Sequence, residues 1–118
     1  MPRPRKWRRV CCLPERNLFG PLKGPLEPEN FIAMTVDEYE TIRLLDLEGF
    51  TQEECAGQMN IARSTVQGIY TEARKKIAQC LVEGKLLRIE GGEYQLCQGR
   101  GDFCGRGGCH RHRHGQRD

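Results

Sequence analysis

TQEECAGQMNIARSTVQGIYTEARKK, residues 51–76, is the stretch on which the reading of the whole chain turns. Thr51 and Glu54 stand at capping-box spacing, with Phe50 and Cys55 in the flanking staple positions, so a short helix starts at Gln52. Ala56 is small enough for a second helix to cross closely, Met59 closes the first helix on its apolar side, and Asn60 stands where a tight turn needs a positive φ. Beyond the turn, Val66, Ile69, Tyr70, Ala73, Ile77, Cys80 and Leu81 recur at spacings of three and four, which predicts one continuous apolar helix face to about Val82, with Gly84 as the stop. Ala56, Met59, Asn60, Ile61, Val66 and Ile69 together fit a helix-turn-helix.

The face opposite that apolar row carries Ser64, Gln67, Gly68, Thr71 and Lys75. Ser and Gln read base edges, Gly68 permits close approach, and Arg63 at the helix start reaches a guanine or a phosphate. Thr65 and Arg74 complete the set expected on double-stranded DNA. A plain helical hairpin with its polar face in water explains the amphipathic spacing, but not the joint choice of turn residues.

Upstream, Thr35 and Glu38 form a second capping box, with Met34 stapled to Tyr39, and predict a helix from Val36 to about Glu48 that stops at Gly49. Its Val36, Tyr39, Ile42, Leu44, Leu45 and Leu47 wrap most of the way round, which suggests a homodimer unless the preceding segment covers the second face. That segment, residues 13–29, holds four prolines and two glycines and reads as a loop wrapped over the domain, anchored by Leu18, Phe19, Leu22 and Leu26. Ahead of it, Arg3, Arg5, Lys6, Arg8 and Arg9 surround Trp7. This is either an arm that grips phosphates or a minor groove, or a solvated basic terminus.

Downstream, residues 86–89 and 94–96 flank Gly91 and Gly92 and predict a small β-hairpin. Glu90 and Glu93 at its tip argue for a structural or subunit-contact role over a phosphate contact. The last segment has six glycines in residues 99–118 and offers Cys97, Cys104, Cys109 and His110 as a zinc-type ligand set, with Cys11, Cys12, His112 and His114 as alternates. An iron-sulfur cluster on the same cysteines, an RGG-like tail for RNA or other nucleic acid, and an unligated terminus are the competing readings. Cys55 and Cys80 fall on apolar helix positions and read as core.

Charge is distributed unevenly. Residues 1–30 carry seven Lys/Arg against three acids, residues 31–98 seven against eleven, and residues 99–118 five against two. An acidic middle between basic arms suggests an anionic partner held by the arms, with the acidic first helix repelling DNA. No apolar run approaches the ~20 residues of a membrane helix, and the start lacks the apolar centre of a signal peptide, so a cytoplasmic location is expected. Seven cysteines, an odd number, then read as thiols or ligands in a reducing compartment. No paired carboxylates and no Ser/His/Asp arrangement point to an enzyme.

With RKWRRVCCLPE, FGPL, MTVDEYETIRLLDLEGFTQEECAGQM, ARSTVQGIYTEARKKIA and IEGGEYQL, the chain resembles, over residues 1–97, an uncharacterised prokaryotic family of predicted DNA-binding proteins. The family's central segment is similar to region four of the primary sigma factors, which binds the promoter's upstream element through a helix-turn-helix. Some relatives are fused to a domain resembling those that handle the iron-molybdenum cofactor of nitrogenase. The resemblance implies RNA polymerase or nitrogenase-cofactor-type proteins as partners, Gln52 as a phosphate contact, and Arg63, Ser64, Gln67, Gly68 and Thr71 as the groove-facing set. Ala62 departs from the capping Ser or Thr of many such motifs.

The expected fold is therefore mainly α: a basic arm and Pro-rich wrap over residues 1–30, a three- to four-helix domain with a helix-turn-helix over 31–84, a β-hairpin over 85–97, and a Gly/Arg/Cys/His-rich tail over 98–118. The expected function is sequence-specific DNA binding by a transcriptional regulator, possibly metal-responsive; the alternative is a metal- or cluster-handling protein whose helices serve protein contacts.

Overall fold

The computed structural model describes residues 8–23 and 30–96. Three helices, α1 (Val36–Ile42), α2 (Gln52–Met59) and α3 (Arg63–Glu83), are joined by five short strands: β1 (Arg8–Val10), β2 (Leu18–Phe19), β3 (Phe31–Met34), β4 (Leu86–Ile89) and β5 (Tyr94–Leu96). Strand content exceeds the single hairpin read from the sequence.

The helix starts follow the local chemistry. Thr35 accepts from the Glu38 amide while Glu38 accepts from the Thr35 amide, and Thr51 and Glu54 repeat the exchange at the start of α2. The first helical segment reaches its expected stop at Gly49 (φ 78°), but by an unexpected route. Arg43–Leu47 is a π-helical turn, and Glu48 N–H donates to Arg43 O at 2.9 Å. The wider turn brings Glu48 to 3.2 Å from Arg43, a pairing five residues apart that an α-helix would point away from.

The hairpin expected over residues 86–96 is not formed. β4 is the centre of a three-stranded sheet, parallel to β3 from Phe31↔Leu86 to Met34↔Ile89 and antiparallel to β2, whereas β5 lies parallel to β1 from Arg8↔Tyr94 to Val10↔Leu96. Gly91 and Gly92 have the positive φ values a hairpin turn favours, 76° and 101°. Their contacts lead elsewhere: Gly91 O accepts from Val36 N–H at 3.0 Å, and Gly92 lies against Thr35 and Asp37 where a Cβ would collide with both. The segment crosses the start of α1 and delivers β5 to the N-terminal strand.

Two clusters make the core. Leu44, Cys55, Ala56, Met59, Ile61 and Val66 bind α2 to α3 and to the π turn, with Leu45, Phe50 and Ile69 packed around them. Val10, Met34, Val36, Ala73 and Ile89 bind the strands to α1 and α3. Cys55 is fully buried, as expected of a core residue, and burial, reinforced by the Glu40 charge, pushes its thiol up to about 12. Cys80 is partly buried, its thiol also raised by burial. The Pro-rich wrap is less anchored than its leucines suggested. Leu18 and Phe19 are about half exposed, Leu22 is fully exposed, and Leu26 lies outside the described residues.

Candidate nucleic-acid interface

The turn between α2 and α3 is three residues long, Asn60 to Ala62. Asn60 adopts the left-handed conformation, φ 60° and ψ 46°, the single non-glycine among the described residues with positive φ. Its short polar side chain lowers the steric cost of that region relative to other non-glycine residues. Ile61, next in sequence, is buried in the core and donates its N–H to Ala56 O at 3.0 Å, which pins the turn to α2. Ala62 is the N-cap of α3 and has no side-chain cap bond, so the amides of its first turn are not satisfied by a cap side chain.

From Ala62, α3 runs with Val66 and Ala73 buried beneath it and Arg63, Ser64, Gln67, Gly68, Thr71, Arg74 and Lys75 exposed. Thr65 is half-buried at the edge of this row. Among the described residues, Arg63, Ser64 and Gln67 engage no side-chain hydrogen bond or ion pair. The Thr71 hydroxyl donates back to Gln67 O at 2.9 Å. Gly68 is informative because nothing lies within 4 Å of where its Cβ would be. A mid-helix glycine costs ~1 kcal/mol relative to alanine, and no internal packing requires it.

Two residues of α3 are held from the side. Tyr70 Oη donates to Asp46 Oδ1 at 2.7 Å, the contact that raises the Tyr70 pKa, and Arg74 lies over the Tyr70 ring at 5.3 Å with Nε 3.9 Å from Asp46 Oδ2. Asp46 in the π turn thus orients the basic end of the exposed row. Lys76 belongs to the interior side, paired with Glu38 Oε1 at 2.6 Å. Gln52, at the first position of α2, is half-buried, and its side-chain oxygen is buried with no partner among the described residues.

The basic arm divides in two. Arg3, Arg5 and Lys6 lie outside the described residues. Arg8 and Arg9, expected on the arm, sit in β1 and hold the fold: Arg8 Nη1 is 3.3 Å from buried Asp37, and Arg9 donates to the carbonyls of Gln58 at 2.7 Å and Gly57 at 3.1 Å. A guanidinium on the last carbonyls of α2 also complements the negative end of the helix dipole.

The acidic first helix is not a solvated repulsive face. Asp37, Glu38 and Glu40 are buried, and each has a cationic partner, Arg8, Lys76 and Arg43 respectively. Arg43 grips both carboxylate oxygens of Glu40, at 2.8 and 2.9 Å. Burial works against its charge, but the hydrogen bonds and charge of Glu40 prevail and raise its pKa. The remaining oxygen-side contact of Glu40 is with the Cys11 N–H at 3.0 Å, and the Cys11 Sγ accepts from Gln58 Nε2. Glu40 and Arg43 are three apart and legible as a helical pair; the Cys11 and Gln58 links were missed, since nothing local marks them.

The metal-ligand candidates Cys97, Cys104, Cys109, His110, His112 and His114 all lie outside the described residues. Cys11 is wholly buried within the Glu40 network, so metal ligation through it would require breaking those bonds; Cys12 is half-buried. Among the described residues no group of three or more His, Cys, Asp or Glu side chains is arranged to hold a metal ion. No described helix is long and apolar enough to cross a membrane.

Residues 1–97 match the family described as Protein of unknown function DUF134, and the chain belongs to it. It is 68% identical over 113 residues to a UPF0251 protein of Desulfitobacterium hafniense strain Y51, covering 96% of this chain and 90% of the relative. Likewise, it is 50% identical over 115 residues to a UPF0251 protein of Caldanaerobacter subterraneus subsp. tengcongensis (98% and 95% covered), and 46% identical over 116 residues to one of Thermoanaerobacter pseudethanolicus (98% and 96%). No solved structure matches the chain.

Proposed function

We propose that this member of the DUF134 family is a sequence-specific DNA-binding protein, a transcriptional regulator that inserts α3 into the major groove by a helix-turn-helix similar to that of sigma region four. The observation that carries this reading is the exposed row Arg63, Ser64, Gln67, Gly68 and Thr71 on the N-terminal half of α3. It stands on a helix pair locked by the left-handed Asn60 and buried Ile61. The row has base-reading side chains and a glycine that internal packing does not need. Arg63 stands beside the uncapped amides of the first α3 turn, a positive helix end suited to a phosphate. In this reading Gln67 and Arg63 carry sequence preference, Gln52, Arg74 and Lys75 contact the backbone, and Arg3, Arg5 and Lys6 add salt-sensitive affinity.

The test is fluorescence anisotropy of the full chain on duplex DNA from upstream of its own gene, competed with scrambled duplex. Preferential binding that Gln67→Ala redirects or abolishes, without loss of fold by circular dichroism, supports the reading. Equal competition by native and scrambled duplex overturns it.

A further inference from the structure

We propose that two adjoining apolar grooves, on the α1 side and at the C-terminal end of α3, are the interface of a two-fold homodimer. One groove, about 660 Å³, runs between the residues that follow β1 and the face of α1 and the π turn, with Leu13, Tyr39, Ile42 and Leu47 in its walls. The second, about 530 Å³, lies between β2 and the end of α3, lined by Ile77, Leu81 and Leu87. Phe19 lines both, so they form one apolar band. Leu47 and Leu81 are 72% and 79% exposed, more than an isolated soluble domain leaves on a contiguous face without a partner.

The occupant is a second copy of this chain. The residues outside the described ones supply few apolar side chains to cover the band: Met1 and Trp7 in residues 1–7, Leu26 in residues 24–29, and Phe103 with three cysteines in residues 97–118, the rest being mostly Gly, Pro and charged residues. The charges beside the two grooves are self-complementary. Glu15 and Arg16 line the first groove, and Glu83 and Lys85, themselves paired at 3.2 Å, stand at the second. A two-fold axis that lays the first groove of one copy on the second of the other brings Glu15 to Lys85 and Arg16 to Glu83, twice, as an isologous interface requires. The band meets α3 in its last two turns, leaving the exposed row of its first half clear. The dimer goes beyond the DNA-reading proposal and does not depend on it.

Sedimentation equilibrium of the full chain without DNA tests it, comparing wild type with Leu81→Glu and Leu47→Glu. Both positions are exposed, so the fold should persist, and circular dichroism checks that it does. The expected result is a wild type of twice the 13.5 kDa chain mass, with each variant dissociating at least tenfold more readily. A wild type that stays monomeric at 100-fold the concentrations used for DNA binding overturns the proposal, as does a dimer indifferent to both substitutions. Because no DNA is present, loss of the DNA-reading proposal would leave this result standing, and the reverse also holds.

Discussion

The side-chain amide of Gln58 donates to Cys11 Sγ at 3.0 Å, joining the last turn of α2 to the residue after β1 across 47 positions of sequence. Gln58 is fully buried, and its other polar atom, Oε1, has no hydrogen-bond partner among the described residues. Its contribution is therefore more volume than polarity. Gln58→Ala should destabilise the fold by about 2–4 kcal/mol through the cavity it leaves. Gln58→Met, of similar length and with no unpaired oxygen to bury, should stay within about 1 kcal/mol of wild type. Urea unfolding midpoints at constant m-value separate the two; equal losses would mean that the amide bond, not the packing, holds β1 to α2.

Arg43 is the single cation on buried Glu40, with Glu48 as its second acid. Arg43→Met should cost about 3–5 kcal/mol, because the Glu40 charge is left uncompensated in the core. Adding Glu40→Gln to that variant should restore part of the loss. A double variant no more stable than Arg43→Met alone would show that the carboxylate is not what the missing guanidinium strands.

The Cys55 thiol gives the fold an alkaline limit. Its ordinary value is 9.0 and the folded value is about 12. Below pH 9 the thiol is protonated folded and unfolded, and its contribution is complete. Between 9 and 12 the unfolded chain releases the proton while the folded chain retains it, so stability falls as pH rises, by up to about 4 kcal/mol. Cys55→Ala should be less stable than wild type near neutral pH by about 1 kcal/mol, and visibly flatter between pH 9 and 11 in guanidinium titrations. Parallel pH profiles would locate the alkaline loss elsewhere.

Gly68 separates stability from the proposed DNA contact. Gly68→Ala meets open space, so it should stabilise α3 by about 1 kcal/mol and raise the melting temperature. If α3 lies in the groove as proposed, the same methyl group should weaken duplex binding by about tenfold. Higher stability with unchanged affinity would remove Gly68 from the interface.

Removal of the arm has to stop before Arg8, since Arg8 and Arg9 tie β1 to Asp37 and to α2. Deleting residues 1–6 removes Arg3, Arg5 and Lys6. It should reduce the slope of log affinity against log salt by up to about 3, equally for native and scrambled duplex, with no change in unfolding midpoint. A deletion that also took Arg8 and Arg9 should unfold the chain more easily, which an intact thermal transition would contradict.

The helix boundaries and the composition of the exposed α3 row were legible in the sequence because they rest on bonds between near neighbours. Thr35 with Glu38, Thr51 with Glu54, Asn60 after Met59 and Gly84 after α3 each fix a backbone state within four residues. The spacing that buries Val66 and Ala73 necessarily turns Ser64, Gln67 and Thr71 outward. The π turn was not legible, since the residues 43–47 read equally well as α-helix, and only the Arg43 contacts to Glu40 and Glu48 accompany the wider geometry.

Strand pairing and the state of the charges were decided by tertiary structure alone. Gly91 and Gly92 satisfy a hairpin turn locally, yet Val36 N–H and the surface at Thr35 take them instead, and β5 finds β1. Arg8 and Arg9 look like free arm charges until Asp37 and the α2 carbonyls are brought beside them, and the acidic helix looks repulsive until Arg8, Arg43 and Lys76 neutralise it. A short strand or a single charge carries no address for a partner dozens of residues away. Which partner it meets depends on the free energy of closing loops around a shared core, and that is a property of the whole packed chain.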